Sequence, residues 1–142
     1  MRILEYDRQA AFEYAKKWAF RRNPRYYNFE KIGGDCTNFA SQCIYAGAKV
    51  MNFTPTFGWY YISINNRAPA WTGVEYLFNF LTGNDAEGPF AEETALNKLE
   101  VGDIVQLGTA AGDFYHSPVV VAVRQGRIYV AAHTYDAFMK PL

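Results

Sequence analysis

The chain holds two cysteines, Cys36 and Cys43, and two histidines, His116 and His133. A cysteine and a histidine together can perform nucleophilic acyl chemistry. The imidazole takes the thiol proton, the thiolate attacks a carbonyl carbon, and the imidazolium returns the proton to the leaving group. Cys36 is the cysteine suited to this role. From Cys36 to Ala46 the apolar residues Phe39, Ala40, Cys43 and Ile44 follow helical spacing, with Asp35 in the place of a cap and Gly47 in that of a terminator. Cys36 therefore falls in the first helical turn. Free amide N–H groups and the positive end of the dipole favour a thiolate there and supply donors for an oxyanion. Cys43 lies in the apolar stripe two turns further on and reads as buried filler. Seven positions along a helix correspond to about 10 Å of rise, too far for the two sulfurs to bond.

Both histidines fall on predicted C-terminal strands. With a two-residue turn at Gln125-Gly126, His133 faces Pro118 and shares a sheet face with His116, so that it could orient that imidazole. A three-residue turn puts the two on opposite faces and makes Asp136 the better partner. A rival chemistry is a zinc site built from the two histidines with Asp113 or Asp136, but no close-spaced ligand pair is present and Cys36 would have no role in it. Asp35 reads as a helix cap, since a carboxylate beside the thiol would oppose thiolate formation. Asn38 and Gln42 could reach a cleft or simply face solvent. Trp59-Tyr60-Tyr61 and Trp71 could line a groove or belong to the core.

The elements that must hold these residues follow from periodicity. Residues 7–22 read as an amphipathic helix ended by Asn23-Pro24, and Gly33-Gly34 marks a sharp turn before the cysteine helix. A further helix is expected around Val74–Leu81. Strands are expected at Ile104–Leu107, Tyr115–Val123 and Ile128–His133, the last two as a hairpin. Helices first and antiparallel strands afterwards predict an α+β fold.

Composition narrows the function classes. With 142 residues, half of them hydrophobic, the expectation is one domain spanning 1–142 with a core that needs neither metal nor disulfide. Fourteen Lys and Arg balance fourteen Asp and Glu, so no broad positive field exists to hold nucleic acid. No apolar run reaches the ~20 residues of a membrane span, and residues 1–7 lack the apolar core of a secretory signal. A cytoplasmic location is the default expectation, and a wall or extracellular one follows if the chain is part of a longer exported protein.

The run Gly34-Asp35-Cys36-Thr37-Asn38-Phe39-Ala40-Ser41-Gln42, followed by Tyr115-His116-Ser117 and Tyr129-Val130-Ala131-Ala132-His133, resembles the putative amidase domain family related to NlpC-type and CHAP-type bacterial cell-wall peptidases. The resemblance extends to the leading Tyr-x-x-x-x-Ala helix, the Asn23-Pro24 and Tyr27 stretch, Trp59-Tyr60, Trp71 and Leu99-x-x-Gly102-Asp103. It implies a papain-like fold, with N-terminal helices packed on a C-terminal antiparallel sheet. It also implies amide-bond cleavage, often in peptidoglycan stem peptides, without a cofactor. By position, Cys36 corresponds to the nucleophile, His116 to the base and His133 to the third, orienting residue. The same groups support acyl transfer to an amine. A catalytically silent module that binds a peptide or wall fragment through its aromatics is the alternative.

Overall fold

The computed structural model describes residues 2–142. Helix α1 (Arg8–Trp18) opens on Asp7, whose carboxylate accepts from the Ala10 amide at 3.0 Å. Ala11, Ala15 and Ala19 are fully buried, and their small side chains let α1 lie close against α2. The helix ends four residues before the expected limit at 22. Its last carbonyl, that of Trp18, accepts instead from the Arg21 amide at 3.1 Å and the His133 Nε2 at 2.8 Å, and Pro24 bars further turns.

Helix α2 (Cys36–Ala48) is the central element, with every residue from Thr37 to Ile44 buried. It stops at Lys49, which takes the left-handed conformation (φ 64°), and not at Gly47 as the sequence suggests. Gly47 is needed for a different reason. Residues 6 and 7 cross the helix there, the Asp7 amide bonds the Gly47 carbonyl at 3.1 Å, and a Cβ would sit 2.7 Å from the Asp7 carbonyl oxygen. A small hairpin, β1 (Tyr61–Ser63) with β2 (Asn66–Arg67), leads into α3 (Pro69–Thr72) and α4 (Val74–Gly83).

The C-terminal half is an antiparallel meander. One hairpin runs from Gly102 through β3 (Leu107–Gly108), turns at Thr109–Asp113, and returns through β4 (Phe114–His116). Beyond Pro118 the pairing resumes in β5 (Val119–Arg124), with Gly102 and Val105 amides bonded to the Val120 and Pro118 carbonyls. The expected strand 115–123 is thus split at Ser117-Pro118, where proline offers no ladder donor. β5 pairs with β6 (Arg127–Ala132) and β6 with β7 (Ala137–Pro141), an edge strand the sequence did not reveal. The β5–β6 turn is the two-residue one, Gln125-Gly126, both at positive φ. A bulge between Val120 and Ala122 then moves the pairing by one, so the site end of the hairpin has the alternative register.

The architecture is α+β, with α1 and α2 packed on β5 and β6. One hydrophobic cluster joins Ala15, Phe39, Cys43, Trp59, Trp71, Leu77, Val119 and Ala131. Trp59 and Trp71 are fully buried, 4.7 Å apart between ring centroids, so neither lines a groove. Their indole N–H groups donate to Ser41 Oγ (3.0 Å) and Asn38 Oδ1 (2.9 Å), which explains polar residues inside α2. No helix among the described residues is long and apolar enough to cross a membrane.

Candidate active site

Cys36 is the first residue of α2 and is partly accessible, whereas Cys43 is fully enclosed and burial pushes its thiol well above the ordinary range. The Cys36 sulfur lies 4.0 Å from the carbonyl oxygen of Tyr115 and 3.7 Å from Thr37 Oγ1. Strand β4 is therefore seated at the start of α2, and the residue after Tyr115 is His116. From Thr37 a polar chain runs inward: its hydroxyl meets Ser117 Oγ at 3.3 Å, and Gln106 Nε2 donates to Ser117 Oγ (3.4 Å) and to the Val74 carbonyl (2.9 Å).

Asp35 occupies the cap position but does not cap the helix with its side chain. The carboxylate is 1% exposed and turns inward. Oδ1 accepts from the Phe29 amide (2.8 Å) and Asn38 Nδ2 (2.9 Å), and Oδ2 meets His133 Nδ1 at 2.5 Å and Arg22 Nε at 3.4 Å. Burial alone would raise its pKa. The hydrogen bonds from His133, Asn38 and the Phe29 amide outweigh burial and hold the carboxyl below the usual aspartate range. Because this carboxylate points away, the first amides of α2 keep the unsatisfied donors that any helix start presents.

The structure does not bring His133 to His116. The His133 ring is 1% exposed and stacks on Phe39 at 4.1 Å; one nitrogen meets Asp35 and the other donates to the Trp18 carbonyl. Both nitrogens are committed, leaving none to orient a second imidazole. Asp136, the other sequence candidate for that task, gives both oxygens to Arg22 at 2.9 and 3.0 Å. Asn38 and Gln42 reach no cleft: Asn38 joins Asp35, Trp71 and the Tyr27 carbonyl, and Gln42 accepts from the Tyr14 hydroxyl.

His116 is half-buried, and no hydrogen bond among the described residues joins it to Cys36. Desolvation, with the positive charge of Lys140 as the smaller cause, lowers its pKa, so the ring is neutral at neutral pH and able to accept a proton. Catalytic hydrogen bonds are often loose before substrate arrives.

Sequence reasoning missed Arg22 and Gln106 as site neighbours, and placed Thr37 and Ser117 beside Cys36 and His116 without the hydrogen-bond chain that joins them. Arg22 carried no signal beyond its charge. The part of Ser117 in that chain was detectable in principle, as the polar residue between His116 and a strand-breaking Pro118.

A family model described as a putative amidase domain matches residues 5–142. The uncharacterized protein YhbB of Bacillus subtilis (strain 168) is 33% identical over 143 residues, covering 98% of this chain and 45% of that protein. The chain thus spans less than half the length of this curated relative. No solved structure matches the chain.

Proposed function

This chain belongs to the putative amidase domain family, and from that premise we propose that it is a cysteine-dependent hydrolase of amide bonds, with Cys36 as nucleophile and His116 as general base. The observation that carries the reading is the seating of Cys36: a partly accessible thiol in the first turn of α2, with uncapped amides beside it and the backbone of the His116 strand 4.0 Å from its sulfur. In the proposed reaction, His116 takes the Cys36 proton and the thiolate adds to the amide carbonyl. The oxyanion is held by N–H groups at the helix start. His116 then protonates the departing amine, leaving a thioester that water hydrolyses to the free acid.

His133 acts in this scheme as a positioning residue. It works through Asp35 to fix the loop that delivers Cys36. The substrate proposed is a short peptide of the peptidoglycan-stem type, the kind that the motif resemblance to wall peptidases implies, and no cofactor enters the scheme.

The test is turnover of stem-peptide fragments with identification of products. Cys36→Ala is expected to remove turnover by about a thousandfold or more while the circular dichroism spectrum stays unchanged. His116→Ala is expected to cost roughly 10²–10⁴-fold. Retained turnover in Cys36→Ala would sink the proposal, and transfer to an added amine in place of water would make the enzyme an acyltransferase.

A further inference from the structure

Arg67, at the end of β2, is half-buried and held in place without being neutralised. Its guanidinium carbon lies 4.5 Å from the centre of the Phe29 ring, Nε donates to Thr72 Oγ1 at 3.2 Å, and Nη1 donates to the Ile64 carbonyl. All of these partners are uncharged. Arg8 is paired with Asp103 and Glu100, and Arg22 with Asp136 and Asp35, but no carboxylate among the described residues lies within ion-pairing distance of Arg67. A fixed and partly desolvated guanidinium with no anion is a preformed site for one.

Arg67 also lines a shallow pocket, open to solvent, with Ala68, Pro69, Thr72, Gly73 and Tyr76. Three links join the elements of this pocket to the start of α2. Phe29 lies under Arg67 and donates its amide to Asp35, the residue before Cys36. Trp71 in α3 donates to Asn38 in the first turn of α2. The carbonyl of Val74, next to Gly73, accepts from Gln106, which reaches Ser117 and through it Thr37.

We propose that this pocket is the subsite for a carboxylate of the peptide substrate, with the Arg67 fork as the charge partner. Thr72 Oγ1, which accepts from Arg67, keeps its own hydrogen to donate to the anion, and the Tyr76 ring supplies an apolar wall. A single guanidinium fork matches the plane and charge of one carboxylate. The inference deepens the amide-hydrolase reading and rests on it for the identity of the substrate. Arg67 becomes the specificity-determining residue that selects peptides bearing a free carboxylate near the scissile amide.

The direct test follows the Arg67 Nε–H resonance by NMR during titration with N-acetylglycine and, separately, its carboxamide. The acid is expected to shift the resonance saturably and the amide to leave it in place; equal responses would overturn the proposal. A second measurement compares alkylation of Cys36 by bromoacetyl-glycylglycine and its carboxamide. The acid is expected to react about tenfold faster, the factor a charge-assisted contact supplies, and Arg67→Gln to bring the ratio to one. Equal rates in the wild type would also overturn it. If neither reagent labels Cys36 while the Arg67 resonance still follows the acid, the anion subsite stands and the nucleophile assignment fails.

Discussion

Beneath Cys36, the pair Asp35 and His133 is buried on both sides, each side chain 1% exposed. Two polar groups held so far from water are tolerated because every oxygen and nitrogen has a partner, and removing one leaves the other stranded. His133→Ala is therefore expected to cost about 3–5 kcal/mol of stability by urea unfolding. A cost below about 1 kcal/mol, the scale of an exposed pair, would mean that the pair is not formed. The pH dependence has a definite sign. Asp35 binds its proton more weakly folded than unfolded, so its contribution is present above the ordinary aspartate value of about 3.9 and is lost as pH falls through the lower folded value. His116 is also held below its ordinary value of about 6.5, so the unfolded chain takes up the proton first and stability declines as pH falls below that point. Urea midpoints at pH 7.5 and 5.5 should differ more in the wild type than in His116→Gln; an equal difference would refute the shift.

At the scale of elements, helix α2 was legible because its apolar stripe is regular, and its first residue was placed correctly. Its end was misplaced, since a glycine can mark close approach as well as a cap. At Gly47 the neighbour is the segment Tyr6–Asp7, which no local pattern reveals. The same tyrosine packs over Gly102, where φ is +91° and a Cβ would come within 2.9 Å of its ring. Gly102→Ala, strained in backbone and in space, is expected to lower stability by about 1–3 kcal/mol in thermal or urea unfolding, and no loss would show that the Tyr6 contact yields freely. The end of α1 was misjudged for a related reason: a carbonyl that would continue the helix is taken by His133, 115 residues away in sequence. The hairpin posed a choice between two registers, and the bulge between Val120 and Ala122 lets the molecule use both.

For the whole molecule, the α+β order and the approach of the His116 strand to the Cys36 helix could be read from one sequence, because helical and strand periods and the rarity of histidine are both visible there. The partner of His133 could not, because Asp35 had a sufficient local explanation as a cap, and only the packed fold turns its carboxylate inward. Trp59 and Trp71 were equally suited to a groove or a core until the polar residues of α2 were seen to satisfy their N–H groups. Whether His116 activates Cys36 as a nucleophile is decided by the rate of iodoacetamide labelling against pH, with the modified cysteine identified by mass spectrometry in wild type and His116→Ala. Rapid, selective labelling of Cys36 is expected at or below about pH 7, lost in the variant, with Cys43 untouched in the folded protein. Slow labelling that begins only near the ordinary thiol range of about pH 8.5, and is indifferent to His116, would contradict it.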